Sequence, residues 1–344
     1  MRAMRILALA LALCLASCTG TNVAEFSSAM DEFCRERGFN GAVLIAERGR
    51  VIFSGGYGMA DFDERVPNGT STPFRIASVT KPLTALCVLQ LRERGLLDLD
   101  DPVSRHLGEY PGGASVRLID LLSHTSGIPE YATVAFLGRS DRRYASEELL
   151  GHFWNKKLRF APGSEFEYSN SNYVVLGAII ERVSGMTYGE YVEKRVFGPA
   201  GMRASRYGEG PGLATGYQSL SLDGGTAAFP IDLSSQFASG GLVSNVEDLY
   251  KWDRAVENGT LLSRSSLTLM YKAPHDFSDY GLGWRIVRAG RKPAVQHSGT
   301  IPGGASTMYR DTARDRTIII LSNVQNADLA SIREKALELF ETAR

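Results

Sequence analysis

The chain has 344 residues, of which 44% are hydrophobic and 22% charged, a composition typical of a globular protein. Lysine plus arginine equal aspartate plus glutamate at 38 each, so the formal net charge is zero. Because this balance gives neither a basic field nor an acidic tail, we expect no nucleic-acid partner. The length allows one large domain or two ordinary ones.

The first segment has the pattern of an export signal. Residues 1–5 are basic, and residues 6–15 form an apolar run too short to persist as a membrane-spanning helix. Leu15-Ala16-Ser17-Cys18 resembles the lipobox of bacterial lipoproteins, which predicts removal of residues 1–17 and lipid attachment at Cys18. Plain secretory cleavage nearby is the alternative. We therefore expect an exported protein of the bacterial periplasm or cell envelope, anchored to the membrane by its N-terminal lipid. Because no aspartate follows the cysteine, that membrane is the outer one in a Gram-negative cell.

Two other cysteines, Cys34 and Cys87, would remain in an oxidising compartment after cleavage. A disulfide between them is one alternative. Cys87, however, lies on an apolar helix face, where cysteine behaves as a small hydrophobic residue. We expect both thiols to be buried and free.

The mature chain begins with a tether, a helix and a hairpin. Residues 18–25 are predicted as the tether, and Ser28 opens a helix that runs to about Arg37, because an acidic residue follows the serine three positions later. The apolar runs 41–46 and 51–54 flank a polar turn, which predicts a β-hairpin.

Ser78-Val79-Thr80-Lys81 precedes an apolar run with helical spacing. The spacing predicts that Ser78 and Lys81 lie at the start of a helix, on one face and one turn apart. Pro82 requires the helix to begin close to Ser78. A lysine desolvated at a helix N-terminus has a lowered pKa and can accept a proton from serine. Taken alone, the tetrapeptide is better explained by a capping serine beside an exposed lysine.

The middle of the chain reads as helical segments, and the last third returns to strands. Helices are predicted at 118–122, 147–153, 173–183, 249–256 and 329–342. A capping box at Thr187 opens one more helix, and a capping box at Ser244 opens the helix at 249–256. Strands are predicted at 282–287, 294–297, 306–310 and 317–322. Residues 208–230 are ambiguous. Short turns between the last strands imply antiparallel pairing.

These elements predict an α+β fold. Residues 26–75 and 235–344 are expected to form one antiparallel sheet lobe flanked by the N- and C-terminal helices. Residues 76–234 are expected to form an inserted, mainly helical lobe.

Tyr168-Ser169-Asn170 is a second candidate for chemistry. It is the one place where asparagine follows a tyrosine by two positions, in a loop that points both side chains the same way. Tyr168 can then share a proton with Lys81 and Ser78, while Asn170 can donate to a substrate carbonyl or fix Lys81. Alone, such a tripeptide is ordinary turn chemistry.

The ordered set Ser-x-x-Lys, Tyr-x-Asn and a strand ending in a glycine motif resembles the serine β-lactamase and penicillin-binding protein superfamily, in its class C-like branch. The likeness covers nearly all of residues 40–325. Other stretches that resemble the branch are Leu121–Pro129, Pro162-Gly163 and Ala238–Ser244.

The resemblance implies a β-lactamase/transpeptidase-like fold and an acyl-enzyme mechanism. Ser78 matches the nucleophile, Lys81 and Tyr168 the proton-transfer pair, and Asn170 the polar residue beside them. Which of Lys81 and Tyr168 is the base remains open. The backbone N–H groups of Ser78 and Thr300 match the oxyanion hole.

The strand motif departs from the family pattern. The sequence has no Lys-x-Gly, and His297-Ser298-Gly299-Thr300 stands in its place. The family's lysine is a permanent cation near the carboxylate of a penicillin or a terminal D-alanine, whereas histidine is mostly neutral at pH 7. Strong β-lactamase activity is therefore not expected, and His-x-Gly resembles the D-amino-acid peptidases and esterases of the branch. Alternatively, His297 is only a strand-end residue that bonds a backbone carbonyl.

Other sites are excluded or interpreted as structural. His124, in a Ser-His-Thr-Ser-Gly turn, is expected to satisfy local backbone. The five histidines show no metal-ligand spacing, and Gly-x-Ser-x-Gly is absent, so we expect neither a metal or other cofactor nor an α/β-hydrolase triad. The predicted substrate is a small-molecule ester, a D-amino-acid peptide or a cell-wall-derived compound. The alternatives are a D-alanyl-D-alanine carboxypeptidase or weak β-lactamase, and a non-catalytic envelope binding protein.

Overall fold

The fold is organised around a sheet whose strands come from both ends of the chain. The computed structural model describes residues 22–108, 113–221, 224–287 and 293–342, so the predicted signal peptide and Cys18 lie outside the described residues. The strands are β1 (Gly41–Glu47), β2 (Arg50–Tyr57), β3 (Met59–Asp61), β4 (Val66–Pro67), β5 (Phe74–Arg75), β6 (Arg206–Tyr207), β7 (Tyr217–Ser221), β8 (Gly224–Ala227), β9 (Leu242–Ser244), β10 (Arg285–Val287), β11 (Ala294–Ile301), β12 (Gly304–Asp311) and β13 (Arg316–Ser322).

The main sheet has six strands in the order β10-β11-β12-β13-β1-β2, and every neighbouring pair is antiparallel. The first hairpin pairs with the last strand, with Ala42 opposite Leu321. This confirms that the two ends of the chain form one antiparallel sheet. Smaller sheets pair β3 with β4, β7 with β8, and β9 with both β5 and β6.

Helices cover both faces of the main sheet. They are α1 (Val23–Glu36), α2 (Thr80–Glu93), α3 (Val103–Leu107), α4 (Leu118–Leu122), α5 (Val134–Leu137), α6 (Ser146–Gly151), α7 (Asn170–Ser184), α8 (Tyr188–Val192), α9 (Gly198–Ala200), α10 (Phe237–Gly240), α11 (Val246–Glu257), α12 (Arg264–Met270) and α13 (Leu329–Thr342). The predicted helices at 118–122 and 329–342 and the capping box at Thr187 are confirmed. Across the described part of the chain, no helix has the length and apolar character needed to span a membrane.

Alternating residues of the central strands point into two separate hydrophobic clusters. Val43 and Ile45 of β1 pack in the same cluster as Phe26 and Phe340, so the terminal helices α1 and α13 cover one face. Leu44, on the opposite side of β1, belongs to the larger cluster that also contains α2, α7 and α11. The predicted α+β arrangement, a sheet flanked by the terminal helices, is therefore confirmed.

The start of α1 differs from the prediction. The helix begins at Val23, and the Asn22 side chain accepts a hydrogen bond from the Glu25 backbone N–H. Ser28 lies inside the helix, because the buried spacing of its apolar face continues back to Phe26. The expected tether of residues 18–25 is thus wrong at 23–25, which are helical.

Two further boundaries differ. Asn245, not Ser244, caps α11 and accepts from the Asp248 backbone N–H, because Ser244 is the last residue of β9. The ambiguous stretch 208–230 contains the hairpin of β7 and β8. Cys34 and Cys87 are buried free thiols, which confirms the expectation for both.

Candidate active site

Ser78 lies in a strained turn between the sheet and the helical part of the molecule. It occupies a 3-10 turn, Ala77–Val79, which comes directly before α2, so the helix begins two residues later than predicted. Ala77 has a φ of 45°, a left-handed conformation that is unfavourable for a residue with a side chain. The Ser306 hydroxyl of β12 donates to the Ile76 carbonyl at 2.7 Å and fastens the turn to the sheet.

Lys81 lies in the first turn of α2 and is completely buried. Its Nζ is 3.1 Å from Ser78 Oγ, 2.7 Å from Asn170 Oδ1 and 2.8 Å from the Ser239 backbone carbonyl. Desolvation lowers the pKa of Lys81 to about 7, although the nearby negative charge of Glu130 acts in the opposite direction. A substantial fraction of this amine is therefore neutral at neutral pH.

The ring of Tyr168 also lies close to the lysine. The Lys81 Nζ is 4.9 Å from the centre of the Tyr168 ring. Burial raises the pKa of Tyr168, while its interaction with Ser78 lowers it by less. The phenol therefore keeps its proton at neutral pH.

His124 forms the support beneath Tyr168. The two rings lie 4.3 Å apart at an interplanar angle of 32°. His124 Nδ1 is 3.1 Å from the Ser169 backbone N–H nitrogen and 3.2 Å from Asn172 Nδ2, so it accepts from both. The buried imidazole thus holds the segment that presents the tyrosine, in keeping with the structural role predicted for it.

Asn170 is the first residue of α7, not a loop residue as predicted. Its Oδ1 accepts from Lys81, while its backbone N and Nδ2 donate to Glu130 Oε2 at 2.7 and 3.0 Å. Of the two roles considered for this side chain, the geometry corresponds to fixing Lys81.

Gly299 brings β11 against the nucleophile. A Cβ atom at this position would lie 2.5 Å from the Ser78 backbone nitrogen. The close approach requires glycine and places the Gly299-Thr300 segment beside the Ser78 N–H. A site of this kind is suited to an oxyanion, because backbone N–H groups there can stabilise developing negative charge.

His297 is buried in the wall of the site, with 1% of its surface exposed. Its Nδ1 is 2.9 Å from the Ser298 carbonyl, and its Nε2 is 2.8 Å from the Tyr280 hydroxyl. A carbonyl only accepts, so Nδ1 holds the hydrogen and Nε2 accepts from Tyr280. Burial, with a smaller effect of Lys81, lowers the pKa of His297 to about 3. The neutral imidazole therefore uses both of its nitrogens in hydrogen bonds to the protein. This geometry corresponds to the alternative interpretation of His297, a strand-end residue that bonds a backbone carbonyl.

Three side chains of the site did not emerge from the sequence. Glu130 follows a stretch that resembles the family, but nothing in its spacing indicated a role. Tyr280 and Arg285 belong to no motif. The Arg285 side chain is exposed, and its Cζ lies 5.7 Å from the Tyr168 ring and 5.8 Å from the Tyr280 ring. Arginine over aromatic faces is a favourable arrangement that leaves its N–H groups available.

The described residues show no group of three or more His, Cys, Asp or Glu side chains placed to hold a metal ion.

Comparison with known proteins identifies the family. The model of the Beta-lactamase family matches residues 26–340. The chain is 32% identical over 310 residues to penicillin-binding protein 4* of Bacillus subtilis (strain 168), a match that covers 83% of this chain and 68% of that protein.

Two solved structures are similar over nearly the whole chain. The octameric penicillin-binding protein homologue from Pyrococcus abyssi has a TM-score of 0.80 and 30% identity, covering 93% of this chain and 78% of that one. The D-amino acid amidase from Ochrobactrum anthropi SV3, complexed with D-phenylalanine, has a TM-score of 0.81 and 25% identity, covering 94% and 100%. These likenesses confirm the β-lactamase/transpeptidase-like fold, and the chain belongs to the β-lactamase family, whose members are penicillin-binding protein-like serine hydrolases.

Proposed function

We propose that this protein is a serine hydrolase that cleaves an ester or amide through an acyl-enzyme on Ser78, acting as a D-amino-acid amidase, peptidase or esterase. The observation that carries the proposal is the buried Lys81 amine, 3.1 Å from the Ser78 hydroxyl and with its pKa lowered to about 7. The similarity to a D-amino acid amidase supports the substrate class. We place the chain in the class C-like branch, with His297 in the position of the family's strand lysine.

Lys81 is the general base in this proposal. Its neutral form accepts the Ser78 proton as Oγ attacks the carbonyl carbon of the substrate. Tyr168 is unsuited to begin the reaction as a base because burial raises the pKa of its phenol. It instead donates its proton to the leaving amine or alcohol and regains one from Lys81. The backbone N–H groups of Ser78 and Thr300 stabilise the tetrahedral oxyanion, and water then hydrolyses the acyl-enzyme.

A fluorophosphonate probe tests the nucleophile. The wild type should be labelled at Ser78, as located by peptide mass spectrometry, and Ser78→Ala should not. Equal labelling of the two proteins would refute the assignment. If the wild type is neither labelled nor active on p-nitrophenyl esters and on D- and L-amino-acid amides, the chain is better described as a non-catalytic envelope binding protein.

A second candidate is a D-alanyl-D-alanine carboxypeptidase or weak β-lactamase, whose substrates have a carboxylate. Arg285 favours it, because its exposed guanidinium lies over Tyr168, in a site where His297 is neutral. Arginine binds carboxylates with two parallel hydrogen bonds. A stable adduct with fluorescent penicillin that is lost in Arg285→Gln would support this candidate, whereas turnover of D-amino-acid amides without an adduct would favour the first.

We also propose that the protein is exported and anchored at Cys18 in the cell envelope, because of the lipobox-like sequence before it. Mass spectrometry of the mature N-terminus should find a lipid-modified cysteine. An unmodified Cys18, or cleavage at another position, would exclude the anchor.

A further inference from the structure

Glu130 is the outermost member of a continuous chain of hydrogen bonds that ends at the nucleophile. Its Oε2 accepts from the backbone N and Nδ2 of Asn170 at 2.7 and 3.0 Å. Asn170 Oδ1 accepts from Lys81 at 2.7 Å, and Lys81 Nζ is 3.1 Å from Ser78 Oγ. One side chain, that of Asn170, therefore lies between Glu130 and the proposed base, Lys81.

The carboxylate itself is held in place. Its second oxygen accepts from the Ala132 backbone N–H at 2.6 Å. The neighbouring Pro129 carbonyl accepts from the Ser171 hydroxyl at 2.6 Å, which fastens this loop to the first turn of α7. Because both sides are fixed, Glu130 can impose a geometry on Asn170.

That geometry decides which end of the Asn170 amide faces the lysine. The oxygen and nitrogen of an asparagine amide have nearly the same shape, so packing alone does not choose between them. An ionised carboxylate only accepts hydrogen bonds, and it therefore takes the amide NH2 group. The amide oxygen is left to face Lys81.

An oxygen in that position directs the lone pair of the neutral amine. Neutral Lys81 has two N–H bonds, and two acceptors stand beside it, Asn170 Oδ1 and the Ser239 carbonyl at 2.8 Å. When both N–H bonds point at these oxygens, the lone pair points at the Ser78 hydroxyl. With the amide reversed, its NH2 group would compete for the lone pair.

We infer that Glu130 is a positioning residue that orients Asn170, and through it the Lys81 amine, toward Ser78. This inference rests on the proposed function, because it concerns how the same base is aimed. It assigns a role to a carboxylate that touches neither Ser78 nor the reacting atoms.

The charge of Glu130 adds a measurable signature. The groups that face Lys81 are Ser78, Tyr168, Tyr173, Asn170, the Ser239 carbonyl, the two neutral imidazoles of His124 and His297, and, at longer range, Glu130. Glu130 favours the protonated lysine and raises its pKa against the larger effect of desolvation. Removal of this charge lowers the pKa of Lys81, so the acid limb of a rate profile should move to lower pH.

The experiment measures the second-order rate constant of Ser78 labelling by a fluorophosphonate, from about pH 5 to about pH 9, for the wild type, Glu130→Gln and Glu130→Ala. In Glu130→Gln the acid limb should move to lower pH. The plateau rate should fall about 10-fold. The Glu130 carboxylate accepts from three donors, the Asn170 N–H, the Asn170 Nδ2 and the Ala132 N–H, and the single oxygen of a glutamine amide leaves one of them without its acceptor. In Glu130→Ala the plateau should fall about 100-fold, the effect of a misplaced base. Glu167→Gln is the control, since Glu167 lies near Tyr168 in sequence but pairs with Arg159 at 2.7 Å, and its profile should match the wild type.

A double-mutant cycle separates an action through Asn170 from a general loss of structure. If Glu130 acts through Asn170, Glu130→Gln should lower the rate little further in an Asn170→Ala background. Thermal melting shows whether each variant is folded. If Glu130→Ala is not folded, the conclusion depends on Glu130→Gln alone. An unmoved acid limb, an unchanged plateau, or full additivity with Asn170→Ala in folded proteins would overturn the inference. Absence of wild-type labelling would instead refute the proposed function.

Discussion

Substitution of Gly299 by alanine should disable the site without altering any ionisable group. The new Cβ would lie 2.5 Å from the Ser78 nitrogen, 2.8 Å from the Ala77 Cβ and 2.8 Å from Ser306 Oγ. Non-bonded heavy atoms prefer about 3.5–4.0 Å, so strand and turn must separate by about 1 Å. β11 cannot yield easily, because it pairs with β12 along its whole length. The separation therefore falls on the turn that presents Ser78.

Such a displacement moves the proposed oxyanion-hole donor and the proposed nucleophile together. Loss of one such donor costs about 10²–10³ in rate, and a 1 Å misplacement about 10², so labelling of Gly299→Ala should be at least about 100-fold slower than wild type. The assay is the fluorophosphonate rate constant, with circular dichroism to confirm folding. Gly151→Ala is the matched control, since its new Cβ would meet nothing within 4 Å beyond its chain neighbours and its own helix backbone, and its rate should be unchanged. Labelling of folded Gly299→Ala at the wild-type rate would refute the close approach of β11 to Ser78.

Three other outcomes are expected. Tyr168→Phe keeps the ring over His124 but lacks the proton donor, so amide turnover should fall about 10²–10⁴-fold with an unchanged melting temperature; near-normal kcat would exclude the role. The wild-type rate should fall as pH drops below about 7, because Lys81 becomes protonated, and a rate independent of pH from about 5 to 8 would contradict a lysine base. Arg310→Ala leaves the buried Asp253, 3.1 Å from Arg310, with one partner fewer and should destabilise the fold by about 3–5 kcal/mol in urea unfolding, whereas the exposed Arg314→Ala should cost under about 1 kcal/mol.

The strongly periodic elements were predictable from the sequence. β12, β13 and α13 have apolar residues at strand or helix spacing, and the structure places them within a residue or two of the prediction. The hairpin of β7 and β8 lies in the stretch whose sequence is ambiguous, because most of its side chains face solvent and no buried strand face is apparent. Helix starts were less reliable, since a polar residue such as Ser28 or Ser244 can mimic a cap.

The candidate site was predictable where its residues lie close together in the sequence. Ser78 and Lys81 meet because they are three residues apart, and Tyr168 with Asn170 was recognised by order along the chain. The left-handed Ala77 leaves no trace in sequence, because alanine has no side chain that signals such a conformation. Glu130 and Tyr280 reach the site through contacts distant in sequence, which no local pattern encodes.

The pairing of β1 with β13 has a consequence for when the candidate site can form. The sheet is incomplete until the last strands have been synthesised, and contacts so far apart in sequence form slowly. The oxyanion segment in β11 and the fastening of the Ser78 turn by β12 both depend on that late region. A chain that lacks these strands would have Ser78 and Lys81 but no completed site, so the order of the strands delays completion of the candidate site until β13 has been synthesised.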